Sequence, residues 1–141
     1  MPRRLRAIVL LLATALAAPA LAGDLAVIVH ANRTDRLTRA EVAQIYLRKR
    51  RFWGDGKRIL PVNRDSGSAA RDAFDRKIFG GDAGDLGVYW NRQYFQGVLP
   101  PPTLASDEAV RRFVASEPLA IGYIDAALVD GSVRVVFHVE D

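Results

Sequence analysis

The sequence has no cysteine, one methionine and two histidines among its 141 residues. Without cysteine the protein has neither a disulfide nor a thiolate metal site, so its core must stabilise the fold by packing alone. His30 and His138 have no partner at metal-binding spacing, and we interpret them as satisfied or exposed strand histidines. Ser68 lies outside any G-x-S-x-G motif, which argues against a nucleophile there. These absences predict a non-enzymatic protein without a metal ion or cofactor.

A long apolar run is missing as well. The apolar stretch at residues 7–18 is too short to span a bilayer. Three arginines precede it, and residues 20–22 form an Ala-x-Ala cleavage site. The pattern predicts a cleaved signal peptide over residues 1–22 and a periplasmic protein over residues 23–141. A retained membrane anchor is the alternative, but no cysteine follows the stretch to carry a lipid.

The positive charge of the chain is concentrated in this leader. The net charge of +4 arises from 20 Lys and Arg against 16 Asp and Glu. Arg3, Arg4 and Arg6 belong to the leader, which contains no acidic residue, so residues 23–141 are close to neutral. The sequence pI of about 9.8 is therefore no sign of nucleic-acid binding, and we expect no nucleic-acid partner.

Helical and extended patterns alternate along the rest of the chain. Thr38 and Glu41 have the spacing of a capping box, and Gly80 with Gly81 ends the helix that follows Ser68. Asp82 is expected to cap the next helix. The predicted strands are 25–29, 58–62, 120–124 and 133–139. The element order β-α-β-α-α-β-α-β-β predicts a single three-layer α/β/α domain with a mostly parallel sheet.

The most informative segment is residues 59–74, which read ILPVNRDSGSAARDAF. This segment predicts a short strand, followed by a turn of small polar residues and then a helix. Gly67 and Ser68 allow a tight turn, after which the first N–H groups of the helix point outward at the positive end of its dipole. Arg64 adds a guanidinium that can fork onto an oxyanion. The segment predicts an anion site, unless the turn is merely structural and Arg64 is a solvated surface charge.

Two other pairs of residues have both a functional and a structural interpretation. Trp53 and Trp90 either line a ligand cleft or pack in the core, and core packing is the default for large aromatic residues. Asp65 and Asp72 either form a carboxylate pair or serve turn formation and the helix dipole. The sequence favours the structural interpretation of both pairs.

The order of three segments resembles that of a known family. Residues 37–47 followed by Trp53, residues 61–68 with Phe74, and residues 105–124 are similar in order to the phosphate substrate-binding proteins of ABC transporters. These are two-lobed type II periplasmic binding proteins. In that family an arginine and a helix-opening Ser-Gly-Thr bind the phosphate oxygens.

The resemblance implies an anion site and a set of partners. It carries the anion-binding role to Arg64, Ser68, Ala69 and Ala70, with Gly67 in the same turn. It implies an exported solute-binding protein for phosphate or a related oxyanion, linked to ABC-type phosphate transport, with an ABC permease or another envelope protein as partner.

Two departures from the family support an alternative. Ala69 and Ala70 stand where the family has Gly-Thr, and the chain resembles a single lobe of the two-lobed clamp. Self-association could therefore complete the site. Alternatively, the protein is a non-catalytic interaction module that has lost tight ligand binding and docks on a membrane or envelope partner.

Overall fold

The computed structural model describes residues 23–80 and 83–140. Strands and helices alternate along the chain as the sequence predicts. In chain order the elements are β1 (Leu25–His30), α1 (Arg39–Tyr46), β2 (Leu60–Pro61), β3 (Asn63–Arg64), α2 (Ala69–Phe79), α3 (Ala83–Tyr94), β4 (Thr103–Leu104), α4 (Asp107–Ser116), β5 (Ala120–Asp125), a 3-10 turn (Ala126–Leu128) and β6 (Val133–Val139).

The main sheet has four strands in the order β2-β5-β1-β6. Three of them, β2, β5 and β6, run in one direction, as in the predicted mostly parallel α/β sheet, although β2 with β5 is the one parallel pair of neighbours among the described strands of this sheet. β1 is the exception, because it pairs antiparallel with both β5 and β6. A strand covered on both faces has the same continuous apolar pattern in either direction, so the sequence does not reveal this reversal. β3 and β4 form a second, two-stranded parallel sheet.

Helices cover both faces of the main sheet, in agreement with the predicted three layers. The alternate residues Leu25, Val27 and Val29 of β1 pack in one cluster with α1 and α2. Ala26 and Ile28 point to the opposite face, in a second cluster with α4. Because successive strand residues face opposite sides, this division places β1 at the centre of the molecule.

The predicted helix ends are confirmed wherever the structure describes them. The Thr38 backbone N–H donates to the Glu41 carboxylate at 2.8 Å, and the Glu41 N–H donates to Thr38 Oγ1 at 3.2 Å. The hydrogen bond from Thr38 lowers the pKa of Glu41. Gly80 ends α2 in the left-handed conformation, with φ of +64°. The predicted Asp82 cap lies outside the described residues.

The strand predicted at residues 58–62 is shorter in the structure, and the chain enters the second sheet directly after it. β2 covers only Leu60–Pro61, and the chain then crosses to pair Asn63–Arg64 with β4. Pro61 has no N–H to donate, so a longer ladder with one neighbour is not favoured there. This crossing places Arg64 on the small sheet, beside the start of α4.

The predicted signal peptide, residues 1–22, lies outside the described residues. Within residues 23–80 and 83–140, no helix has the length and apolar character needed to cross a bilayer.

Candidate functional site

The turn between β3 and α2 has the predicted geometry. Gly67 has a φ of +85°, a conformation that side-chain-bearing residues rarely adopt. Ser68 is the N-cap of α2, and its Oγ accepts the backbone N–H of Arg71 at 3.1 Å. The Ser68 hydroxyl proton is then left to donate elsewhere. Within the described part of the chain, no acceptor takes the N–H groups of Ala69 and Ala70. Together these groups form a set of donors at the positive end of a three-turn helix.

Arg64 is fixed from several sides rather than solvated. Its side chain is only 12% exposed, and its Nη1 forms an ion pair with the carboxylate of Asp107. Its Nη2 donates to the Ala105 carbonyl at 3.4 Å, and its own carbonyl accepts Arg71 Nη1 at 2.9 Å. The interpretation of Arg64 as a solvated surface charge is therefore wrong. Its Nε is buried and has no hydrogen-bond partner among the described residues.

The partner of Arg64 is the residue that sequence reasoning missed. The sequence indicates Asp107 only as an acidic residue in the first turn of a helix capped by Ser106. Parallel pairing of β3 with β4 places Arg64 opposite Leu104, three residues before Asp107. Asp107 also accepts the backbone N–H of Asp125 through Oδ2 at 3.3 Å. Asp107 thus joins the small sheet, α4 and the end of β5.

A buried polar group supports the backbone beneath Arg64. Asn63 accepts, through Oδ1, the Arg64 backbone N–H at 2.9 Å and the hydroxyl of Tyr123. The Tyr123 ring stacks on Phe74 of α2 with ring centres 3.9 Å apart. Burial raises the pKa of Tyr123 well above its usual value, so its hydroxyl remains protonated and can donate. β3 and α2 are therefore held in one arrangement on either side of the turn.

A cavity of about 260 Å³ lies beside the turn. Ser66 and Gly67 line it, together with side chains of α2 and α3 that include Arg71, Asp75 and Trp90. Burial raises the pKa of Asp75, and the nearby Arg71 guanidinium, 3.4 Å from its carboxylate, partly offsets that effect. Because the ionised Asp75 repels an anion, the favourable position for one is at the helix end, away from Asp75.

The two tryptophans have different roles. Trp53 is 2% exposed and packs in the core, where its Nε1 donates to the Leu119 carbonyl at 3.0 Å. Trp90 is half-buried and lines the cavity beside the turn between β3 and α2. The core interpretation is thus confirmed for Trp53, whereas Trp90 is a cavity residue.

The remaining candidate residues are not brought together into a reactive group. His30 ends β1 and accepts the Asn32 N–H through Nδ1 at 3.1 Å, and His138 is exposed on β6. Asp65 and Asp72 are both exposed beside the start of α2. In the described ranges, no three His, Asp or Glu side chains gather as they would around a metal ion.

Comparison with solved structures identifies one class of similar proteins. A phosphate ABC transporter substrate-binding protein from Clostridium perfringens, solved with bound phosphate, is 29% identical with a TM-score of 0.64, over 82% of this chain and 45% of that chain. An ABC-type phosphate transport receptor from Vibrio cholerae is 25% identical with a TM-score of 0.65, over 82% and 46%. PstS from Borrelia burgdorferi, at 15% identity and a TM-score of 0.62 over 79% and 46%, supports the fold alone.

These comparisons confirm the predicted resemblance to phosphate ABC transporter substrate-binding proteins. The chain spans less than half the length of the proteins it matches, so the similarity is to one half of each. Searches against family models and against curated protein sequences find no match.

Proposed function

We propose that this protein is an exported, non-enzymatic binding protein that recognises phosphate or a related oxyanion at the start of α2. The observation that carries the proposal is the group of donors around Ser68. The Ser68 hydroxyl and the N–H groups of Ala69 and Ala70 face outward at a helix N-terminus, close in sequence to Arg64, whose Nε has no partner among the residues that the structure describes. The similarity of this chain to one half of a protein solved with bound phosphate supports phosphate as the anion.

Each proposed ligand has its own role. Gly67 permits the turn, Ser68 supplies a hydroxyl, and Ala69 and Ala70 supply only backbone N–H groups. Arg64 supplies the charge, and its buried Nε must turn toward the ligand to donate. That movement requires the guanidinium to exchange part of its contact with Asp107 for contact with the anion. The resting site is therefore less positive than Arg64 alone indicates.

The proposal also covers the cellular location of the protein and its partners. We propose that residues 1–22 are removed during export and that residues 23–141 act in the periplasm. The partner would be an ABC permease or another envelope protein, and a second copy of the chain could close over the ligand. The alanine at position 70, which has no hydroxyl, leaves the site with one donor fewer, and such a surface would supply further donors.

One observation favours a second candidate function. Asp107 already neutralises Arg64, as expected if the site no longer binds an anion tightly. In that case the protein is an interaction module that docks on an envelope partner, and its fold rather than its anion site is what the partner recognises.

The first prediction concerns Arg64. Calorimetric titration of the exported protein with phosphate, sulfate and a phosphonate should show binding that Arg64→Ala abolishes. Arg64→Lys should bind more weakly than the wild type, because an ammonium cannot reproduce the guanidinium fork. Loss of the ion pair with Asp107 should also lower the free energy of unfolding by about 1–2 kcal/mol.

Arg76→Ala is the matched control, because Arg76 is exposed in the last turn of the same helix. It should leave both binding and stability unchanged within error. Equal binding by the wild type and Arg64→Ala, or none by either, would favour the interaction module.

A further inference from the structure

A second cleft, of about 400 Å³, lies between the end of α1 and the segment after α3. Three arginines and a set of mainly apolar residues line this cleft, namely Arg48, Arg51, Arg58, Ile59, Leu60, Gly97, Val98 and Leu99. None of them lines the cavity beside the turn between β3 and α2. We propose that this cleft binds a phosphate-bearing polyanion, such as pyrophosphate or the two-phosphate headgroup of cardiolipin.

Arg48 is half-buried while Arg51 and Arg58 are exposed, and within the described residues no carboxylate balances these three charges. None of Arg48, Arg51 and Arg58 forms an ion pair with a carboxylate of the described residues. Burial lowers the pKa of Arg48, and the like charges of Arg51 and Arg58 lower it further. Arg48 is thus close enough to both Arg51 and Arg58 to be repelled by them. A bound polyanion would offset that repulsion.

Helix capping accounts for only part of this cluster. Arg51 Nε donates to the Arg48 carbonyl at 3.0 Å, near the negative end of the α1 dipole. That end carries roughly half an elementary charge, which is small beside three full positive charges. Arg48 and Arg58 have no hydrogen bond of this kind among the described residues. Two guanidiniums therefore lack a structural partner.

The backbone of Arg48 is a second, independent observation. Arg48 has a φ of +62° and is the one non-glycine residue in the described ranges with positive φ. It follows the C-cap Leu47, at the helix end where glycine is usual. Arginine is strained at this position, so its presence there suits a function of the side chain.

The cleft walls indicate the class of ligand. Leu60 and Leu99 are 38% and 61% exposed and flank the arginines. Arginine forks match phosphate oxygens in geometry, and three of them suit a ligand with two or more negative charges. An apolar wall beside them suits a phosphate group attached to an apolar moiety, as in a phospholipid.

Titration of the exported protein with pyrophosphate and sedimentation with vesicles test this proposal. Vesicles of cardiolipin in phosphatidylcholine should bind more protein than phosphatidylcholine alone if the source is lipid, whereas pyrophosphate alone should bind if the source is soluble. Binding of either probe supports recognition of phosphate groups by the cleft. If neither pyrophosphate nor the vesicles bind, the proposal is overturned. Arg58→Gln should weaken the binding observed about tenfold.

The Arg48→Gly variant distinguishes a ligand-binding role of Arg48 from a structural role. Glycine relieves the positive φ, so this variant should unfold at a higher temperature while it binds pyrophosphate or vesicles about tenfold more weakly. Unchanged binding by Arg48→Gly and Arg58→Gln would overturn the proposal.

Two controls address non-specific attraction and the first site. Arg36→Gln removes one exposed positive charge outside the cleft and should bind normally. An equal loss of binding in Arg36→Gln would show that binding depends only on net charge, and it would overturn the proposed site. Arg64→Ala serves as a background in which the turn between β3 and α2 no longer contributes: pyrophosphate or vesicle binding that remains in this variant and falls when Arg58→Gln is added belongs to the cleft, and no remaining binding would overturn the proposal.

Discussion

At the scale of single residues, the contact between Arg64 and Asp107 decides how the anion turn behaves. The two side chains are 12% and 19% exposed, so both charges are largely withdrawn from water. Such a pair contributes little net stability, yet removal of one partner leaves the other charge poorly compensated. In the proposed site, the carboxylate of Asp107 and an incoming oxyanion would compete for the same guanidinium. We therefore expect Asp107 to tune the affinity of the turn without contacting the ligand.

The prediction at this scale is for Asp107→Asn. Loss of the carboxylate charge should free Arg64 and raise phosphate affinity about three- to tenfold in calorimetric titration. The variant should also unfold about 1 kcal/mol more easily, because the Arg64 charge loses its counterion and α4 loses an acidic residue in its first turn. Higher affinity with lower stability is the signature of competition.

Glu108→Gln is the control for that variant, because Glu108 occupies the same turn of α4 but contacts Arg111 and Arg112 instead. Its phosphate affinity should equal that of the wild type. A fall in affinity for Asp107→Asn would show that Asp107 orients Arg64 for the ligand rather than competing with it.

At the scale of secondary-structure elements, the close packing of α4 on β5 places Asp107. Gly122 lies buried in β5 beneath α4. A Cβ at this position would lie 2.5 Å from Cγ1 of Val110 and 3.3 Å from Cγ2 of Val114, both on α4, and 3.2 Å from Cγ2 of Val62. The absence of a side chain thus allows α4 to approach the sheet closely, with Asp107 at its first residue.

The prediction at this scale is that Gly122→Ala lowers the free energy of unfolding by about 1–3 kcal/mol, since the methyl group overpacks the cluster and pushes α4 outward. Denaturant unfolding measures the loss. Gly131→Ala, in an exposed turn with no atom within 4 Å of the added Cβ, should have almost no effect. Equal stability of the two variants would mean that the α4 packing is loose.

Sequence patterns predict the elements better than their pairing. The Thr38 capping box and the helix from Ala69 to Phe79 are confirmed, because each depends on residues within a turn or two. The antiparallel direction of β1 and the Asp107 contact were not predicted. Asp107 lies 43 positions from Arg64, and only the pairing of two short strands brings them together.

For the candidate site too, the sequence predicts local features but not long-range contacts. The turn itself was predicted, since the positive φ of Gly67 and the Ser68 cap are local. The surroundings of Arg64 were not, because burial and ion pairing there arise from α4 and β4. The ligand role of Arg64, Gly67, Ser68, Ala69 and Ala70 stays a prediction.

At the scale of the whole molecule, the chain corresponds to less than half of the proteins it resembles. In the described residues, Gly67 and Ala69 at the start of α2 are exposed, so an anion bound there would have water on one side. Two unit charges about 4 Å apart attract by about 1 kcal/mol in bulk water and about 4 kcal/mol in a partly shielded site. An open site with a half-neutralised arginine therefore lies near the weaker limit.

The last prediction follows from that exposure. A monomer should bind phosphate weakly, with a Kd nearer millimolar than micromolar, and binding should fall further as salt is raised, because exposed charges are screened within about 10 Å at 0.1 M salt. Tight binding should require a second surface over Arg64 and Ser68, either another copy of the chain or a separate protein. Calorimetry combined with light scattering tests this: affinity should rise with protein concentration if a second copy closes the site. Submicromolar affinity in a strictly monomeric sample would instead show that one chain encloses its ligand unaided.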